Sequence, residues 1–142
     1  MIAFPRCAVA VTNLSAGVVE SLWVSPGGRV FAATRFGLYD CQANCTQAAS
    51  WRFFSVPFTD MAGVCGASEN EVFGVGTWNN TGSLDGAVWK FGGTGWTKLG
   101  AVPSTGLVYG CTVSGGAVFV AATGQLGRFD LPSGPGVLES FD

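Results

Sequence analysis

Apolar residues in this chain come in short runs separated by glycine- and serine-containing turns. The stretch GAVWKFGGTGWTKL (86–99) shows the pattern: two apolar runs flank Gly92-Gly93-Thr94-Gly95, with Phe91 closing one and Trp96 opening the other. It reads as strand, glycine turn, strand. No window carries the period of an amphipathic helix, and none approaches the roughly 20 continuous apolar residues of a membrane span. The hairpins also repeat in phase. SLWVSPGGRVFAAT (21–34), GVCGASENEVFGVG (63–76) and YGCTVSGGAVFVAA (109–122) each read as an apolar strand, a turn with serine, and a Val-Phe strand. The pairs Val30-Phe31, Val72-Phe73 and Val118-Phe119 are spaced by 42 and 46 residues, and Trp23, Cys65 and Cys111 each stand eight residues before the Phe. A third strand follows in each unit (37–42, 86–91, 126–131), and then a fourth (51–56, 96–101, 137–142).

Four short strands in about 40 to 50 residues are one blade of a β-propeller. A sandwich of unrelated hairpins would not place an aromatic at one offset three times. The expected fold is therefore all-β, with three four-stranded antiparallel blades at 19–60, 61–106 and 107–142, preceded by a segment, 1–18, with a spare strand at Cys7–Val11. The turn glycines supply positive φ, and the aromatics are expected to fill the wedges between blades. The stretch ENEVFGVGTWNNTGSLDGAVWKFGGTGWTKL (69–99) resembles the propeller repeats of secreted bacterial proteins, in which a Val-Phe strand leads through a loop to an apolar strand and then Gly-x-x-Trp. Its ending also resembles kelch repeats, although Gly74 and Gly76 are split by Val75. The WD dipeptide and the sialidase Asp-box are absent. The resemblance spans about residues 19–142 and implies an architecture rather than an activity, since propellers host many roles.

Three blades do not close a ring, because propellers typically carry four to eight. An isolated arc exposes two apolar blade faces and invites association. Either the chain is a fragment of a larger propeller or copies of it complete one ring. Self-association is the expectation, two chains giving six blades in two-fold symmetry.

Composition narrows the partners. Charged residues are 11%, hydrophobic residues 48% and the net charge is −2, with seven scattered Lys and Arg. Nucleic acid is not expected, because phosphate binding needs clustered basic residues. Five cysteines raise the question of compartment. Cys41 and Cys45 in CQANC suit a small disulfide loop, and Cys65 with Cys111 is a second candidate pair, leaving Cys7 over. Buried thiols or a metal site are the alternatives, the latter disfavoured without histidine or paired C-x2-C elements. Disulfides would place the chain in an oxidising compartment: secreted, periplasmic or at the cell surface. The start MIAFPRCAVAV lacks the layout of a secretory signal, so an exported chain has lost its signal or belongs to something longer. Asn13, Asn44 and Asn79 begin N-glycosylation sequons.

Histidine is absent, which excludes Ser-His and Cys-His nucleophiles and His-ligated metals. No cofactor and no catalytic residue is expected. A carboxylate pair for glycoside hydrolysis would fall to Asp60 and Asp85, which read more simply as turn acids. Asp40 and Asp130 end third strands and read as turn formers bonding nearby amides. The candidate ligand face carries the loops between strands two and three: Arg35 and Phe36, TWNNTGSLD (77–85), and Gln125. The links into the next blade, PFTDM (57–61) with Asp60 and VPSTG (102–106), lie on the same face. Trp78, Asn79, Asn80 and Asp85 could form a sugar site, the ring stacking on a pyranose and the polar groups bonding hydroxyls; Trp78 folded onto its blade is the plainer reading. The expected function is a non-catalytic extracellular module for binding or self-assembly. A carbohydrate-binding lectin is the alternative, and part of a larger propeller enzyme the next.

Overall fold

The computed structural model describes residues 18–80, 83–102, 107–131 and 136–140. The protein is all-β. The first sheet contains β1 (Val19–Val24), β2 (Val30–Thr34), β3 (Gly37–Cys41) and β4 (Arg52–Ser55). The second contains β5 (Asp60–Ser68), β6 (Glu71–Asn80), β7 (Ser83–Phe91) and β8 (Trp96–Val102). The third contains β9 (Val108–Ser114), β10 (Ala117–Ala122), β11 (Gln125–Asp130) and β12 (Gly136–Ser140). Each sheet is an antiparallel meander in chain order. A 3-10 turn at Ala48–Ser50 leads into β4. In the Gly92–Gly95 turn, Gly93 takes φ 94°, and Phe91 pairs with Trp96 with ring centroids 5.0 Å apart.

The second sheet lies between the other two, with β5 packed against β1 on one side and β9 on the other. Its strands are consequently apolar on both faces. The pleat sends Val72, Ala87 and Phe91 toward the first sheet, where they meet Phe31, Ala33, Leu38, Phe58 and Met61. Phe73, Val75 and Val88 point the other way, onto Val108, Val118, Val120 and Phe129 of the third sheet. The first joint is rimmed by Trp23, Phe54, Trp78, Trp89 and Trp96, so the aromatics do fill the space between sheets. Polar stitches cross it: the Val64 amide donates to Ser21 Oγ at 3.3 Å, and Trp96 Nε1 donates to the Ser55 carbonyl at 2.8 Å.

Two features depart from the sequence reading. The segment 77–85 is mostly strand rather than loop: Trp78 pairs with Asp85, Asn79 with Leu84 and Asn80 with Ser83, so β6 and β7 run on as one long hairpin. Cys65 and Cys111 are not equivalent either. Cys65 pairs with Phe73 as Trp23 pairs with Phe31, whereas Phe119 pairs with Thr112 and Cys111 with Val120. A one-residue change of register turns a side chain to the opposite face. Cys111 therefore faces back toward the second sheet and meets Cys65. The spare strand Cys7–Val11, Cys7, Asn13 and most of the link 102–106 lie outside the described residues.

Candidate functional site

The hairpin ends β2–β3, β6–β7 and β10–β11 and the starts of β5 and β9 gather at one end of the sheets. A cleft of about 250 Å³ opens there, lined by Glu20, Asp60, Met61, Thr77, Leu107 and Tyr109 among others. Asp60 opens β5 in register with Thr77, and its carboxylate takes Arg35 Nε at 3.3 Å. The Met61 amide donates to the Arg35 carbonyl, which ties the β2–β3 turn to β5. The Arg35 guanidinium lies 5.3 Å from the centre of the Phe36 ring. Opposite, Thr123 holds the entry to β9: its Oγ1 accepts from the Leu107 amide at 3.1 Å and lies 3.3 Å from the Tyr109 hydroxyl. Leu107 and Tyr109 remain exposed. The cleft thus combines an aromatic ring, a threonine and two acids, one of them bridged to arginine.

Of the residues singled out in the sequence, Asp60, Arg35 and Phe36 come together at this end. Trp78 does not join them. It points to the first-sheet side, half-buried, with its edge against Trp89 and with Lys98 Nζ 3.6 Å from the ring centre. One ring face is therefore already covered by a cation. Asp85 pairs with Trp78, one row on from the Asp60–Thr77 pair, so Asp60 and Asp85 leave opposite faces of the sheet and form no carboxylate pair. Asn79 and Asn80 lie beside Trp78 in β6, but their side chains fall outside the description. Gln125 opens β11, and its Oε1 is buried without a hydrogen-bond partner among the described residues.

Asp40 plays a part the sequence reading missed. Its side chain is 1% exposed and bridges two arginines, Arg29 and Arg52. Arg52 grips it with Nε on Oδ1 at 2.9 Å and the terminal nitrogen on Oδ2 at 2.8 Å. That hydrogen bonding, reinforced by the carboxylate charge, holds the Arg52 guanidinium above its ordinary pKa, against a smaller opposing effect of burial. Asp40 is thus an ion-pair hub rather than a turn former. Asp130 likewise accepts from a side chain, Arg128 Nε at 2.9 Å, on the surface.

Among the described residues two disulfides are present. Cys41–Cys45, with Cα atoms 5.7 Å apart, closes a small loop anchored by Trp51 Nε1 donating to the Cys45 carbonyl. Cys65–Cys111, with Cα atoms 5.8 Å apart, staples β5 to β9 and so joins the second and third sheets.

The two end sheets each present an apolar face. On the first sheet Leu22 is 64%, Val24 56% and Phe53 53% exposed. On the third, Phe119, Ala121 and Leu126 surround an almost wholly apolar groove of about 240 Å³ that runs past Gly110 and Thr112. Among the described residues, no three His, Cys, Asp or Glu gather as a metal site, and no helix is long and apolar enough to cross a membrane. No family model matches the chain, and no curated protein matches it significantly in sequence.

Proposed function

We propose that the chain is a non-catalytic extracellular module that acts by binding and assembly: three blades of a β-propeller whose ring is completed by association. The observation that carries this reading is the arrangement of three meanders with β1, β5 and β9 side by side and an apolar face left at each end of the row. Successive blades of a propeller stack in this way, each covering the apolar face of its neighbour. The two disulfides support a location outside the cytosol. Light scattering over a dilution series tests the reading. A mass that is a whole multiple of 14.6 kDa is expected; 14.6 kDa at every concentration would overturn assembly among copies.

A second reading, carbohydrate binding, draws on the cleft: the exposed Tyr109 ring stands beside Glu20 and Asp60, a platform and acceptors for sugar hydroxyls. Signal on a glycan array that is lost in Tyr109→Ala and kept in Trp78→Ala would support it at this place. No signal for the unaltered chain would remove it.

A further inference from the structure

The repeat phase indicates what each open face is shaped to meet. Phe31, Ala33 and Leu38 share one face of the first sheet. Phe73, Val75 and Val88 hold the same register positions in the second, and Phe119, Ala121 and Leu126 in the third. The first two sets are fully buried because the next sheet lies over them. The third set lies open around the apolar groove. A second series agrees. Ser21, Gly63 and Gly110 pair with Ala33, Val75 and Ala121 respectively. Ser21 Oγ meets the Val64 amide of the next sheet, and a Cβ on Gly63 would lie 2.9 Å from the Gly110 Cα. A Cβ on Gly110 would meet nothing within 4 Å. Gly110 is thus in the position that the innermost strand of a following sheet approaches.

The outer face of the first sheet, where Leu22 and Val24 are exposed although Ala32 is buried, is the other half of the same joint. Leu22, Val30 and Ala32 hold the register positions of Val64, Val72 and Gly74, which cover the first sheet. They also match Cys111, Val118 and Val120, which cover the second. The chain therefore carries both halves of a joint that it already forms twice internally. We propose that the third sheet of one copy receives the first sheet of a second copy, head to tail, with Leu22, Val24 and Val30 laid over Phe119, Ala121 and Leu126. This inference rests on the propeller reading above and adds the partner, the faces and the register. Such a contact is heterologous, and it closes when the rotation it imposes returns to the first copy.

The internal disulfide supplies the test. Cys65 and Cys111 meet across the second joint with Cα atoms 5.8 Å apart. In the proposed joint, Thr112 takes the position of Cys65, and Leu22 of the second copy takes that of Cys111. Both residues are exposed, so the variants Thr112→Cys and Leu22→Cys should fold, which retention of the two native disulfides by mass spectrometry would verify. Mixed under mild oxidation, the two variants are expected to give a covalent one-to-one species whose linking peptides contain residues 22 and 112. Neither variant alone nor the unaltered chain should give it. A multiple mass without this cross-link would overturn the head-to-tail joint and leave assembly standing. A monomer at every concentration would overturn both.

Discussion

At the scale of single residues, the molecule depends on a few positions with no freedom to change. Asp40 is the sharpest case, because its carboxylate is buried between two guanidiniums. Replacing it with Asn would keep the shape and remove the charge, leaving the mostly buried Arg29 without its counter-ion. Breaking a buried pair from one side is costly, and thermal unfolding of Asp40→Asn should show a loss of about 3 kcal/mol. The contribution of Arg52 has a definite pH sign. A pKa raised by folding gives stability that is whole below the ordinary arginine range and lost as pH rises through the raised value. Gly63 and Gly110 separate fold from assembly. Gly63→Ala would drive a Cβ onto the Gly110 backbone and should cost about 2 kcal/mol of stability, as overpacking does. Gly110→Ala has open space and should leave the monomer's stability within about 0.5 kcal/mol, while weakening the association read by light scattering.

At the scale of elements, the two disulfides constrain the chain unequally. Cys65–Cys111 spans 46 residues and Cys41–Cys45 only four. Loop-closure entropy then assigns about 4 kcal/mol to the first and about 2 kcal/mol to the second. Denaturant unfolding of Cys65→Ala/Cys111→Ala and Cys41→Ala/Cys45→Ala should rank them in that order; equal losses would mean that the unfolded chain is not what the long disulfide constrains. This staple also shows how far the elements were legible in the sequence. Strand order, the three repeats and both cysteine pairs could be read, because alternating apolar runs and glycine turns act locally. The register of β9 could not: an offset of eight residues from Cys111 to Phe119 looks the same as that from Cys65 to Phe73, yet a β-bulge between Gly66 and Ser68 shifts the pairing by one residue in the second sheet, while β9 runs in unbroken register to its two-residue turn. The strand character of the segment around Trp78 was missed for a related reason. TWNNTGSLD has loop composition, and what keeps it in strand is tertiary: Trp89 and Lys98 give the Trp78 ring a surface to pack on. Asp40 was invisible because Arg29 reaches it only once β2 and β3 are paired, and Arg52 only once β3 and β4 are.

At the scale of the whole molecule, the question is what force would draw copies together. Net charge is −2 and charged residues are 11% of the chain, so long-range attraction between copies is weak. The end faces expose apolar residues, with the Arg128–Asp130 pair beside Phe119 on the third sheet, and burial of the apolar part would be driven by release of water. Two consequences follow for stability. Association binds the folded chain and not the unfolded one, so it raises the melting temperature by mass action. A tenfold rise in protein concentration should lift the transition by roughly 3 °C for a dimer of this size. The lift should persist in 1 M salt and grow in sulfate, which strengthens apolar burial, whereas an ion-paired interface would weaken. Leu126→Glu places a charge in the open face of the third sheet without touching the two internal joints. It should abolish the concentration dependence while keeping the melting temperature that the unaltered chain shows at high dilution. If the unaltered chain melts at one temperature across the whole series, its end faces do not meet one another.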